Sequence, residues 1–284
     1  VIIWQNMGAD SDFHIDYYGT EYRLPLSESN IINLIAFLDL KQASPGVIAS
    51  HLSALAYKHK VYNMPDHTQT YVVRKMLAGC RKLHPGKGDT RRPINKQMLS
   101  VICEALPMIF PKKYTHSLYN AMFCLAFYAF LRVGEYTVSG GQHENMLQLS
   151  DVQLAVNLMN LTTKSKSVSG HKHAEGTTHK ISIASLQLAD ALETYISLRG
   201  VTAGPFFVDQ AQKPISRATF ASTLSTVLKY CGYDPAMFNT HSFQIGAATH
   251  AALSGVPDSQ IRYMGRWKSN AFMNYIRADC TVFH

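Results

Sequence analysis

Residues 241–277 read HSFQIGAATHAALSGVPDSQIRYMGRWKSNAFMNYIR. His241 and Gln244 stand three positions apart at the start of an Ala-rich run, so on a helix they share one face. Thr240 is the expected N-cap of that helix. Gly265-Arg266-Trp267 forms a turn, and a short helix after it carries Tyr275 beside Phe272 and Ile276. The start of the helix at His241 offers backbone N–H groups and a dipole that favour an anion. Taken singly, each of these residues also has a plain structural role. Tyr275 is one of 15 tyrosines and lies on an apolar stripe, Trp267 suits a core, and His241 suits a helix start bonded to backbone.

Upstream, His116 to Val133 is a segment that is apolar nearly all round (Leu118, Met122, Phe123, Leu125, Phe127, Phe130, Leu131), which predicts a buried core helix. It ends in Leu131-Arg132-Val133-Gly134-Glu135. A charge at the end of a buried helix needs a partner. One reading pairs Arg132 with Glu135 on a single helical face; the other leaves Arg132 for an anion.

With both stretches in view, the sequence resembles the tyrosine recombinase (phage-integrase-like) family, most closely its eukaryotic mobile-element branch of Crypton- and DIRS-like elements. The resemblance rests on Leu-Arg-x-Gly-Glu at Arg132, on His-x-x-Arg followed by Trp or His, on GRWKS, and on the Tyr-Ile-Arg that ends at Arg277. It covers about residues 41–280 and departs at one position, where Gln244 stands for the second arginine of the family. It implies a mainly α protein with a small antiparallel β-sheet: a helical, DNA-clamping core-binding domain, then an α+β catalytic domain. It implies site-specific cleavage and rejoining of DNA through a 3′-phosphotyrosyl intermediate and a Holliday junction. Tyr275 would be the nucleophile, Arg132 would hold the phosphate, and His241 would assist proton transfer at Tyr275. Trp267 would pack on the phosphate and donate its indole N–H, and Lys166 would protonate the leaving 5′-oxygen. Lys164 is the second candidate for that proton. The implied partner is duplex DNA with inverted half-sites, bound by a homo-oligomer, two protomers per site and four in a synapse. Only nine residues follow Tyr275, so the C-terminal helix that many relatives exchange is expected to be absent or trimmed.

The chemistry explains the residue types. Transfer of a phosphodiester to tyrosine spreads negative charge over non-bridging oxygens, and the protein positions and stabilises that charge. Arginines suit the task because they stay charged and donate paired hydrogen bonds. A tyrosine with a pKa near 10 needs a positive field or a base. No cofactor and no metal are required. Gln244 offers two N–H donors but no charge; losing one preorganised donor costs about 10²–10³ in rate. Three explanations stay open: a substitution made to stall the reaction, a natural loss in a protein kept for DNA binding, or an amide that suffices for slow catalysis. A DNA-binding protein without activity, and a type IB topoisomerase-like nicking-closing enzyme, are the competing functions.

The rest of the chain supplies charge. Between Lys41 and Lys113 there are 13 Lys/Arg against Asp66, Asp89 and Glu104, more net positive charge than the +8 of the whole chain. Clustered positive charge is the footprint of phosphate contacts. Residues 1–28 are an irregular acidic arm. Helices are expected from Ser29, from the Ser44-Pro45 cap, and over Gln69–Leu83. The second carries an apolar stripe with His51, Lys58, His59 and Lys60 off it. Residues 29–84 form the expected clamping domain, 85–93 a basic flexible linker with two prolines and two glycines, and 94–284 the catalytic domain. Lys58, Lys60, Arg74, Lys75, Arg81, Lys82, Lys87, Arg91, Arg92 and Lys164 are the expected DNA contacts. A further helix is expected over Asn95–Leu106. Strands are expected at Leu147–Val152, Leu158–Thr163 and Lys180–Ile183, with Lys164 and Lys166 facing away from Met159 and Leu161. Helices are expected at Ser185–Leu198 and at Arg217–Tyr230, the latter announced by Pro214 and Ser216.

His171, His173 and His179 lack a completing ligand set, so no metal site is expected. Five scattered cysteines exclude a disulfide framework and fit a reduced, intracellular compartment; the mobile-element resemblance implies the nucleus. The longest apolar run, Ser117–Leu131, is too short to span a bilayer, and no membrane partner is expected. A chain beginning at Val1 rather than Met is expected to be a trimmed fragment.

Overall fold

The computed structural model of this chain describes residues 24–85, 90–138, 146–155, 158–164, 178–183 and 185–277. The chain divides into two compact units, residues 1–89 and 90–284.

The first unit is built from three helices, α1 (Glu28–Leu40), α2 (Pro45–Val61) and α3 (Tyr71–Leu83). Their starts are written in the sequence. Ser27 accepts from the Asn30 amide and Ser44 from the Val47 amide, with Pro45 at the first helical position, where its missing N–H costs nothing. Ile31, Leu34, Ile35 and Leu38 of α1 meet Ile48, Leu52 and Leu55 of α2 and Val73 and Cys80 of α3. Each such fully buried aliphatic side chain contributes about 1.5–3 kcal/mol.

The expected polar edge of α2 is different. His51 and His59 are buried, at 4% and 0% exposure, so both belong to its inner face. His59 is accommodated because both ring nitrogens find backbone partners. Its Nδ1 lies 2.8 Å from the Leu55 carbonyl, and its Nε2 accepts from the Leu26 amide at 3.0 Å. Those two partners select the neutral Nδ1–H tautomer, the only one that donates to a carbonyl and accepts from an amide.

The second unit surrounds α5 (Lys113–Tyr128), against which α4 (Lys96–Ile109), α7 (Leu186–Arg199) and α9 (Ser242–Leu253) pack. Ten residues of α5 are buried, as a helix apolar on every side requires. Phe123 packs 5.4 Å from Phe243 and 5.6 Å from Phe220, ring centroid to centroid. The helix ends at Tyr128, short of the expected Val133. Phe130 has φ +53°, a left-handed conformation that terminates it. A separate four-residue helix, α6 (Val133–Tyr136), follows, with Arg132 at its N-cap.

A three-stranded antiparallel meander comes next: β1 (Val152–Ala155), β2 (Leu158–Lys164) and β3 (Thr178–Ile183). Val152 lies opposite Leu161, and Lys164 opposite Thr178. Leu147 and Leu149 are not in the first strand as expected. The Leu147 amide donates to Glu135 O and the Leu149 amide to Gly204 O, which commits them to the loops around α6 and α7. The last helical elements are α8 (Arg217–Tyr230), α9, α10 (Asp258–Met264) and a 3-10 turn at Asn270–Tyr275. The N-cap of α9 is His241 rather than Thr240, and its amide is taken by the Asn239 side chain at 2.8 Å.

Residues 90–94 are anchored, with the Arg92 amide donating to Met237 O and the Ile94 amide to Ser242 O. This contact explains Gly246 on α9: a Cβ there would sit 1.8 Å from the Ile94 carbonyl oxygen. Only a residue without a side chain allows that approach.

Replacing His59 with leucine strands the Leu26 amide inside the first unit. A loss of about 1–3 kcal/mol is expected, read as a lower urea midpoint with an unchanged m-value.

Candidate active site

The site forms where the turn after α5, the start of α6, the first turns of α9 and the Gly265–Tyr275 segment converge. Its centre is a carbonyl. Phe130 O accepts from Arg266 Nη2 at 3.0 Å and from Gln244 Nε2 at 3.2 Å. The left-handed conformation of Phe130 is what frees this oxygen from the α5 ladder, and strained residues of this kind persist only where surrounding contacts hold them.

Arg266 is the residue that sequence reasoning missed. It too is left-handed, at φ +55°, and its side chain is only 1% exposed. Its guanidinium donates to Ala129 O, Phe130 O and Met264 O, and pairs with Glu135 Oε2 at 2.7 Å. Burial pulls its pKa below the usual arginine value, Glu135 pulls it back up, and the like charge of Arg132 lowers it. The sequence signal was a charged residue between a glycine and a tryptophan, read there only as part of a turn.

Arg132 is half-exposed. Its amide donates to Glu135 Oε2 at 2.7 Å, closing a capping box, and its Nη2 donates to Gly265 O at 3.2 Å. Its Nη1 stands 3.8 Å from Glu135 Oε1, beyond hydrogen-bond length. The Arg132–Glu135 pair expected from spacing is therefore loose, and the tight partner of Glu135 is Arg266.

Gln244 is 1% exposed and points inward from α9. Its amide orientation follows from its partner, because an oxygen turned toward Phe130 O would repel it. The other end, Oε1, is buried with no hydrogen-bond partner among the described residues. His241 begins the same helix, half-buried.

Trp267 packs beside Tyr275, with ring centroids 5.0 Å apart, and lies edge-on to Phe130 at 6.3 Å. Its indole covers Gly265, where an added Cβ would fall 1.7 Å from the ring. Tyr275 is half-buried at the end of the 3-10 turn. Thr249 on α9, also missed in sequence, holds the backbone around it. Its hydroxyl donates to Tyr275 O at 3.3 Å and accepts from the Arg277 amide at 3.0 Å. Contacts thus run from Arg132 through Gly265 and Trp267 to Tyr275, and return by way of α9 and Gln244 to Phe130.

The two candidate acids are not placed: the Lys164 side chain and the whole of Lys166 lie outside the described residues, as do His171 and His173. Among the described residues no group of His, Cys, Asp and Glu could hold a metal ion, and no helix is long and apolar enough to cross a membrane.

In the first unit Lys60, Arg74, Lys75, Arg81 and Lys82 are exposed and Lys58 is half-buried. Arg74 and Arg81, like Lys75 and Lys82, are two helical turns apart on α3, about 10 Å along one face. Tyr71, 68% exposed, lies under the Lys75 ammonium at 5.4 Å. Of the remaining basic candidates, Arg91 is half-buried, Arg92 exposed, and Lys87 outside the described residues.

No protein-family model and no curated protein matches this sequence. Solved structures do match. The XerH site-specific recombinase bound to a palindromic difH substrate, in a post-cleavage complex, aligns over 93% of this chain and 72% of its own, at 12% identity and TM-score 0.65. The Tn1549 transposon integrase in complex with circular intermediate DNA aligns over 96% and 89%, at 11% identity and TM-score 0.62. A lambda integrase dimer bound to a COC′ core site aligns over 99% and 89%, at 13% identity and TM-score 0.59.

Gly265→Ala is expected to push Trp267 off its neighbours. Tryptophan emission should shift to the red and stability should fall by about 1–3 kcal/mol; an unchanged spectrum would contradict this packing. At this low sequence identity, what the matches establish is the fold, a mainly α chain with a small antiparallel sheet that this protein shares with these DNA-bound recombinase and integrase structures.

Proposed function

We propose that this chain is a site-specific DNA recombinase or integrase of the tyrosine type, impaired at Gln244. The observation that carries the reading is the meeting of a half-exposed arginine, a tryptophan and a tyrosine from segments more than 130 residues apart, as measured by the Arg132 to Gly265 contact. The match to recombinases whose structures contain DNA supports the same reading.

In the proposed reaction the Tyr275 oxygen attacks the phosphorus of a DNA phosphodiester. The new bond joins tyrosine to the 3′-phosphate and the bond to the 5′-oxygen breaks. The departing oxygen takes a proton from Lys166, or from Lys164. His241 accepts the tyrosine proton. Arg132 neutralises a non-bridging oxygen, and Trp267 packs against the phosphate. Rejoining reverses these steps with a different 5′-hydroxyl. DNA with inverted half-sites, a dimer on each site, a tetramer and a Holliday junction in the synapse belong to this reading, as do the mobile-element origin and a nuclear location. The exposed bases of α3 and the helix-spanning charge of the first unit supply the sequence-independent grip.

Gln244 favours a second reading, a DNA-binding protein without activity. Its amide is spent on Phe130 O and it brings no charge, so the phosphate is left with one arginine.

Covalent trapping separates the two. Duplexes selected by binding from a random pool are nicked near their centres and incubated with the parent chain, with Gln244→Arg, and with Gln244→Arg combined with Tyr275→Phe. A protein–DNA adduct stable to denaturant should grow by about 10²-fold or more with Gln244→Arg and vanish without the Tyr275 hydroxyl. Binding without any adduct would leave the silent DNA-binding protein. Relaxation of supercoils without site preference would favour a topoisomerase-like enzyme.

A further inference from the structure

The proposed chemistry needs Arg132 to show its charge to a phosphate, yet a carboxylate, Glu135, stands three residues away. What keeps the two apart is visible in the geometry. Glu135 Oε2 is engaged twice, by the Arg132 backbone amide and by Arg266 Nη2, both at 2.7 Å. Its Oε1 remains 3.8 Å from Arg132 Nη1. The Arg266 side chain is 1% exposed against 38% for that of Arg132, so the carboxylate is drawn to the interior guanidinium, where solvent screens the attraction least. Arg132 Nη2 is turned instead to the carbonyls of Gly265 and Arg266, which position the head group without cancelling its charge.

We propose that Arg266 is a positioning residue that occupies Glu135 and thereby leaves the charge of Arg132 available to the DNA phosphate. This rests on the reading of Arg132 as the residue that holds the phosphate. Arg266 touches neither DNA nor the reacting atoms; it acts through Glu135. Without it, a largely buried carboxylate, 14% exposed, would be left beside Arg132 and would close on it. The fork of Arg266 matters as well. Its Nη1 and Nη2 also bind Ala129, Phe130 and Met264, fixing the turn before Arg132 against the turn that carries Trp267.

The test uses the Gln244→Arg protein as the active parent and the selected nicked duplexes as probe. The initial rate of adduct formation, DNA affinity and thermal midpoint are measured for Arg266→Met, Glu135→Gln and the double variant. Arg266→Met should cut the rate about 100-fold, with DNA affinity held within about threefold. The double variant should regain at least about tenfold of that rate, because a neutral amide does not capture Arg132. A purely structural role predicts no such rescue. A double variant that recovers its thermal midpoint but not its rate would overturn the proposal, as would an Arg266→Met protein at parental speed. If Arg266→Met does not fold, Arg266→Lys and Arg266→Gln replace it. Lysine keeps the ion pair and should be at least about tenfold faster than glutamine; equal rates would overturn the proposal. No adduct from the Gln244→Arg parent itself would remove the reading of Arg132 and this proposal with it. An active parent with indifferent Arg266 variants removes this proposal alone.

Discussion

A guanidinium sealed inside the second unit sets the constraint under which the candidate site is built. Burying a charge is tolerable only when it is paired and its donors are satisfied. Arg266 is paired with one carboxylate, and its two terminal nitrogens also reach three backbone carbonyls, while its buried Nε has no partner among the described residues; every one of those partners belongs to a segment the site needs. Ala129 and Phe130 end α5, Glu135 lies in α6, and Met264 closes α10. The chain turns left-handed twice to make the contact, at Phe130 and at Arg266 itself. Both turns have a use. The first exposes a carbonyl that also holds Gln244, and the second delivers Trp267 over Gly265 toward Tyr275.

Gln244 takes on a definite physical meaning in this setting. It is a well-packed residue whose amide nitrogen has a partner and whose oxygen has none among the described residues. An orphaned buried carbonyl is costly. If the proposed function holds, a neutral amide at this position would keep the positioning of the reaction and lose part of its electrostatics. Geometry and charge are separable contributions to phosphoryl transfer, and under the proposed function Gln244 is the residue at which they would part.

Much of the fold was legible. Ser44-Pro45 announced α2, the all-round apolar stretch announced α5 as the core helix, and Pro214 with Ser216 announced α8, because caps and periodicity are local signals. The misses share a cause. The left-handed turn at Phe130, which ends α5 early, answers to tertiary contacts that no nearby residue encodes. His51 and His59 were placed on the polar side of α2 because polarity was taken as exposure, whereas His59 is satisfied by the distant Leu26 amide. The true partner of Glu135 lies 131 residues away, beyond any helical spacing rule. Thr249 passed unnoticed because a hydroxyl within an Ala-rich helix gives no hint that it holds the tyrosine segment. For the site itself, motif residues were visible in sequence, while those that hold them in place were not.

The central claim is that the fold places one particular phenol to attack a phosphodiester. Peptide mapping of a covalent DNA adduct of the Gln244→Arg protein, after nuclease trimming, tests it most directly. The account predicts a nucleotide remnant on Tyr275 alone among the 15 tyrosines. A remnant on any other residue, or an adduct whose mass shift excludes a phosphotyrosyl bond, would contradict it.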